Sequence, residues 1–291
     1  MIYYFLLVVS IVLTVCKSAL YNAYAQKGED AAGGVFRFNA VSYGVAALIA
    51  LVGMPVGSLS VSGVTVLCAF FYAMIVISLQ TISITAMRVG AMSTTSICVM
   101  YGMIIPSVAG PIFWKEPIGA LQIVGICMMV LSLWLIKGKT SAEKREVTKK
   151  WAVLAVLAFF LSGMAGVMEK IHQSTNAKEE RMPFVCIACA FMLAFSLAAG
   201  RIARKKGKNE AKSKTVMLAV LSGLVIGLYS AINLMLAGKL DSMIYYPVAN
   251  GGAMLLTVLV SVLFFKERFD KTRRIGTAIG LAGILCLSLP V

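Results

Sequence analysis

Two pairs of residues carry the most evident binding chemistry in this 291-residue chain. Tyr229 and Asn233 are four apart, and so are Tyr246 and Asn250. In a helix that spacing shares one face, so each pair would present a phenol beside a carboxamide. Both pairs stand within apolar runs, where a polar group is costly unless it meets a partner or a solute. Around the second pair, "YYPVANGG" at 245–252 brings Pro247, Gly251 and Gly252 into a turn or two. Proline removes a backbone donor and glycine loosens a helix, which could free carbonyls for a ligand. The same small residues would also let two helices pack closely, with asparagine bridging them. The sequence leaves both readings open.

Other polar residues in apolar runs extend the set. Tyr101 is followed by Pro106 and Pro111, and Ser78, Thr81 and Thr85 share a face with Gln80 beside them. Lys17 lies about six residues, or roughly 9 Å at the helical rise, from one end of the first run. It could snorkel to that end or face inward and reach a cavity from below. This chemistry suits reversible binding of a small solute. It does not suit catalysis, because no cluster of nucleophile, base and oxyanion donor appears. The seven cysteines all fall in apolar runs, and "CIAC" at 186–189 lacks a second pair or a polar ligand. They read as packing residues, so no metal, cofactor or disulfide framework is expected. The twelve acids read as loop or run-end residues, and His172, beside Glu169 and Lys170, reads as interfacial. A chain without a carboxylate in mid-membrane is a poor receptor for lipophilic cations. Neutral, zwitterionic or anionic solutes fit better.

The elements that must position these residues are membrane helices. Hydrophobic residues make up 60% of the chain and charged ones 13%, far too few charges to coat a soluble domain of this size. The net charge of +15 does not indicate nucleic acid, because the basic residues sit in short segments between membrane-length runs. Ten such runs are expected as helices: 2–23, 35–53, 61–86, 92–113, 118–136, 151–170, 184–202, 215–238, 243–265 and 275–289. "AYA" at 23–25 has the look of a signal-peptidase site, but the first sixteen residues hold no Lys or Arg, so the first run is expected to stay as a helix. Six Lys/Arg in 137–150, seven in 201–214 and five in 266–274 follow runs 5, 7 and 9. That places all three segments on one side, the cytoplasmic one, with both termini outside. The split is 22 basic residues inside against five outside.

"FWKEP" at 113–117 and "FFKER" at 264–268 punctuate the chain alike, with Lys115 and Lys266 151 residues apart. At that offset Glu116 meets Glu267, Gly125 meets Gly276 and Ala86 meets Ala237. The chain therefore reads as an all-α polytopic membrane protein of ten transmembrane helices in two inverted five-helix repeats. The first repeat spans 1–136, a basic linker 137–150, and the second repeat 151–291. An odd number of spans per copy turns the second one over and sets a site near the midplane between the halves.

With "WKEP" and "FKER" closing spans 4 and 9 ahead of Gly-bearing spans 5 and 10, the chain resembles the EamA-type branch of the drug/metabolite transporter superfamily. The resemblance implies a central cavity lined by spans 1–4 and 6–9, with spans 5 and 10 peripheral. It also implies transport of a small metabolite, often export, and gives Glu116 and Glu267 a capping role near helix starts. The expected function is an alternating-access secondary transporter of a neutral, zwitterionic or anionic solute, amino-acid-like or sugar-like, in the cell membrane. A flippase of a lipid-linked sugar and a non-transporting receptor or scaffold are the alternatives. The expected site is Tyr229, Asn233, Tyr246, Asn250, Tyr101 and Lys17. The expected partners are a small-molecule substrate and the bilayer, with no nucleic acid. GxxxG spacings at Gly223–Gly227 and Gly276–Gly280 add a possible homodimer. The topology is checked by a single cysteine at Ser213 in a cysteine-free background. An impermeant thiol reagent should label it in inverted vesicles and not from outside intact cells; outside labelling contradicts the orientation.

Overall fold

With no water in a bilayer core, a chain must satisfy its backbone internally, and this one does so with helices. The computed structural model describes residues 2–27, 32–53, 61–90, 92–115, 119–136, 148–175, 177, 179–204, 213–237, 242–263 and 271–288. Along them run α1 (Ile2–Lys27), α2 (Ala32–Val52), α3 (Gly63–Val89), α4 (Met92–Met100), α5 (Ile104–Trp114) and α6 (Ala120–Ile136). Then come α7 (Lys149–Ser174), α8 (Arg181–Arg204), α9 (Ser213–Ala237), α10 (Ser242–Leu263) and α11 (Lys271–Ser288). A 3-10 turn, Tyr101–Met103, joins α4 to α5. No strand occurs among the described residues. Seven segments are long and apolar enough to cross a membrane: Ile2–Gln26, Gly33–Val52, Gly63–Val89, Thr94–Trp114, Lys149–Ser174, Arg181–Ala203 and Lys214–Asn233. Ala120–Ser132, Ala249–Val260 and Arg274–Cys286 are apolar but shorter.

Local chemistry sets several helix ends. Ser62 and Thr148 cap α3 and α7, each hydroxyl oxygen accepting the N–H three residues on at 3.3 Å, which satisfies one of the orphan donors of a helix start. Lys115 of the first Lys-Glu pair follows α5 in the left-handed region, φ 53°, with its N–H on the Gly110 carbonyl. A left-handed residue there ends a helix, though glycine is the usual occupant. The first half of the charged punctuation is thus a helix stop. Glu116, Lys266 and Glu267 lie outside the described residues, as does most of the three basic segments.

The helices turn apolar side chains outward and polar ones inward. Phe5, Leu48, Phe160 and Leu255 are half or more exposed, whereas Asn39, Ser42, Thr95, Ser132, Ser222 and Thr257 are buried. Such an exterior suits lipid rather than water. Inside, α1 packs on α9, α10 and α3; α3 also packs on α7 and α8, and α2 on α8 and α9. The pair α6 and α11 pack chiefly on each other.

Both GxxxG spacings are used within the subunit. A Cβ on Gly223 would come 2.5 Å from the Ser42 carbonyl of α2, and the Ser42 hydroxyl donates to the Ala219 carbonyl at 3.0 Å. A Cβ on Gly280 would strike the Tyr101 and Ser132 hydroxyls. The close approach that glycine allows is spent on α2 and on the α4–α6 region, so the spacing that motivated a homodimer has a different use here.

Candidate functional site

Four side chains from four helices meet between α1, α3, α7 and α9. The Lys17 ammonium lies over the Tyr229 ring, 4.8 Å from its centroid, a cation–π arrangement that gains strength when water is excluded. The Tyr72 hydroxyl donates to Glu169 Oε1 at 2.8 Å. Lys17 and Glu169 are close enough to interact electrostatically, and the Tyr72 and Tyr229 phenols face the same carboxylate. Tyr229 is hydrogen-bonded to Thr14, whose own hydroxyl donates to the Ser10 carbonyl at 2.9 Å. Tyr43 of α2 lies near Tyr72 and Tyr21. The result is a phenol-lined site with one positive and one negative charge.

Helix length explains why the two charges meet. The sequence suggested that the first run ends at 23 and the sixth at 170. In the structure α1 continues to Lys27 and α7 to Ser174. Lys17 is then ten residues, roughly 15 Å, from the nearer end of its helix, and its ammonium is turned onto the Tyr229 ring. Glu169 is five residues, roughly 8 Å, inside its own. The expectation that every acid lies in a loop or at a run end therefore fails for Glu169.

One end of the α3–α7 pair is tied down above this site. The Ser62 N–H and hydroxyl both donate to Glu180 Oε2, at 2.9 and 3.0 Å. Thr65 is hydrogen-bonded to His172 Nε2 at 3.1 Å, and the His172 ring stacks on Phe184 at 4.5 Å. Hydrogen bonds from Thr65 and from the Ser62 N–H, with His172 nearby, hold the Glu180 carboxyl below the ordinary carboxylate range. An open cleft of about 430 Å³ lies here, lined by Ser62, Val64, Ser174, Thr175, Ala177 and Glu180. His172 was expected at the interface; it is 2% exposed.

The residues expected from sequence part company. Lys17 and Tyr229 are in direct contact, and Asn233 continues the Tyr229 face of α9 by one turn. Tyr101 is elsewhere: it is fully buried, with its hydroxyl 2.7 Å from Ser132 Oγ of α6. Tyr246 and Asn250 lie on α10, and the Tyr246 side chain falls outside the described residues. Beside Asn250, Gly251 sits against Ile284 of α11 and Gly252 against Ile11 of α1. In α3, Ser78, Thr81 and Thr85 turn their hydroxyls back onto the carbonyls of Met74, Ile77 and Thr81, while Asn39 donates to Thr81 at 3.1 Å. Glu169 and Tyr72 are the members that the sequence did not single out.

An apolar exterior around a polar, charge-balanced interior defines a multi-pass membrane protein. The profile of the EamA-like transporter family matches residues 149–289, so the second half of the chain is an EamA-like unit and the resemblance read from the sequence holds there. Members of that family are membrane transporters of small molecules. Among curated proteins no sequence matches this chain. A solved structure described only as a crystal structure of a protein is 12% identical and aligns over 95% of this chain and 95% of its own, with a TM-score of 0.63. At that identity the likeness is one of fold, and it extends through both halves.

Tyr72 gives the site its clearest single-residue test. Tyr72→Phe removes the donor to Glu169 and keeps the ring. A hydrogen bond to a charged group contributes about 1.5–3 kcal/mol, so the variant should unfold at a lower temperature in detergent, while Ser78→Ala, whose hydroxyl bonds only its own helix, should not.

Proposed function

We propose that this protein is an alternating-access secondary transporter of a small polar metabolite, and that the solute binds at Lys17, Glu169, Tyr72 and Tyr229. The observation that carries the reading is that Lys17 and Glu169 stand within electrostatic reach of each other in the helix bundle, each held by a tyrosine. Ionisable residues at membrane depth are rare and mark solute or ion pathways. The packing pattern supports two inverted five-helix units. Exchange the first five helical segments for the last five, and α1 on α9 becomes α7 on α3, α2 on α9 becomes α8 on α3, and α2 on α8 and α6 on α11 map onto themselves. A bundle with that exchange symmetry can rock about a central site. The Ser62–Glu180 and Thr65–His172 bonds join the first unit to the second at one end, as a closed gate would.

The charges also bear on the solute. A site for a lipophilic cation needs a net negative charge; here Lys17 offsets Glu169, which favours neutral, zwitterionic or anionic metabolites. Lys17, Tyr229 and Asn233 remain candidate substrate contacts, and Tyr246 and Asn250 candidate wall residues on α10. The charge distribution favours an orientation with the three basic loops cytoplasmic, and export across the cell membrane is the direction that the family resemblance suggests. Purified protein in vesicles preloaded with an unlabelled metabolite extract should accumulate part of a labelled extract by exchange. Lys17→Met should lose that accumulation at least tenfold while inserting normally; wild-type vesicles that accumulate nothing contradict the reading.

A further inference from the structure

Lys17 and Glu169 retain bonding capacity beyond the contacts that hold them. The ammonium has three donors, and the Tyr229 ring beneath it uses a face rather than a lone pair. A carboxylate offers about four acceptor positions, of which Tyr72 takes one, on Oε1. The two groups come from different helices, α1 and α7, and lie within electrostatic reach of each other. Around them the walls are phenols and apolar side chains rather than further ions: Tyr43, Tyr72 and Tyr229, with Thr14 behind.

A net charge in such an interior is penalised by several kcal/mol, whereas a balanced set is tolerated. The empty site is balanced. A solute with a single negative charge would leave the occupied site negative, and one with a single positive charge would leave it positive. A solute that carries one of each keeps the sum at zero, and can exchange the Lys17–Glu169 attraction for two new ones, its anionic group on Lys17 and its ammonium on Glu169. We propose that Lys17 and Glu169 form a bipolar receptor for a zwitterion, so that the site is electrically neutral both empty and loaded. The inference rests on the transporter reading and narrows its substrate to one charge class. It also sets the energetics: crossing with or without solute moves no net site charge, so flux needs no membrane potential and creates none.

The test uses the purified full-length protein in detergent and the shift of its thermal midpoint. The probes are the common amino acids with uncharged side chains, each with the amine that lacks its carboxylate and the acid that lacks its ammonium. At least one amino acid should raise the midpoint, while its amine and its acid, at the same concentration, do not. This wild-type comparison requires no variant to fold. For that amino acid, Lys17→Met and Glu169→Gln should each weaken binding at least tenfold, and Lys17→Arg with Glu169→Asp should retain the preference for the zwitterion. In vesicles its uptake should be unchanged by an imposed potential of either sign. An acid that stabilises as well as the amino acid and survives Glu169→Gln overturns the proposal, as does a panel without effect, or potential-driven uptake. Vesicles that exchange an extract yet ignore the amino acids refute the zwitterion and leave the carrier; vesicles that exchange nothing refute the carrier itself.

Discussion

A charge inside a helix bundle in lipid must be balanced, and the interior is organised around that constraint. Lys17 and Glu169 are each partly buried, and removing one would leave the other uncompensated, at a cost that grows as water is excluded. Their proximity requires α1 and α7 to present charges at matching depth. It also recruits the neighbours: α9 supplies the ring under the ammonium and α3 the hydroxyl on the carboxylate. The four central helices are therefore tied to one another by polar contacts as well as by packing. On the transporter reading proposed above, the same contacts would form the phenol-lined site.

The rest of the bundle supports that centre by close approach. In lipid, helices gain little from a hydrophobic effect between them, and tight contact and interhelical hydrogen bonds matter more. Gly223 lets α9 lie on α2, and the Ser42 bond to Ala219 fastens them. Gly280 admits the Tyr101–Ser132 pair, and the Ser132 hydroxyl also donates to the Gly276 carbonyl. These contacts fix α6 and α11 to the bundle at its edge. At the opposite extreme, the Ser62–Glu180 and Thr65–His172 bonds close one end of α3 on α7 and α8. Such bonds are individually modest, so an end held this way can open without dismantling the packed interior.

Much of the fold was legible because membrane helices announce themselves by length and composition. Among the described residues, each expected apolar run is largely helical. The site was less legible, for identifiable reasons. Charged residues at 169 and 170 look like the end of a run, yet α7 continues to Ser174 and carries Glu169 inward. At the 151-residue offset Lys17 meets Met168 rather than Glu169, so the repeat did not mark the acid. Tyr72, a single tyrosine in an apolar run, carries no mark either. Tyr101 was placed in the cavity by repeat equivalence, but it sits in a 3-10 turn. With three residues per turn rather than 3.6, that turn rotates the face it presents. The asparagine of α10 stands beside glycines that serve α1 and α11 contacts.

The most direct measurement of this account is a double-mutant cycle on the pair itself. Thermal midpoints in detergent would be compared for the wild type, Lys17→Met, Glu169→Gln and the double variant. Each single change leaves one charge in the bundle unbalanced and should lower the midpoint, whereas the double variant removes both charges and should recover most of the loss, giving a coupling well above 0.5 kcal/mol. If the two losses simply add, Lys17 and Glu169 do not depend on each other, and the charge-balanced site at the centre of the protein is wrong.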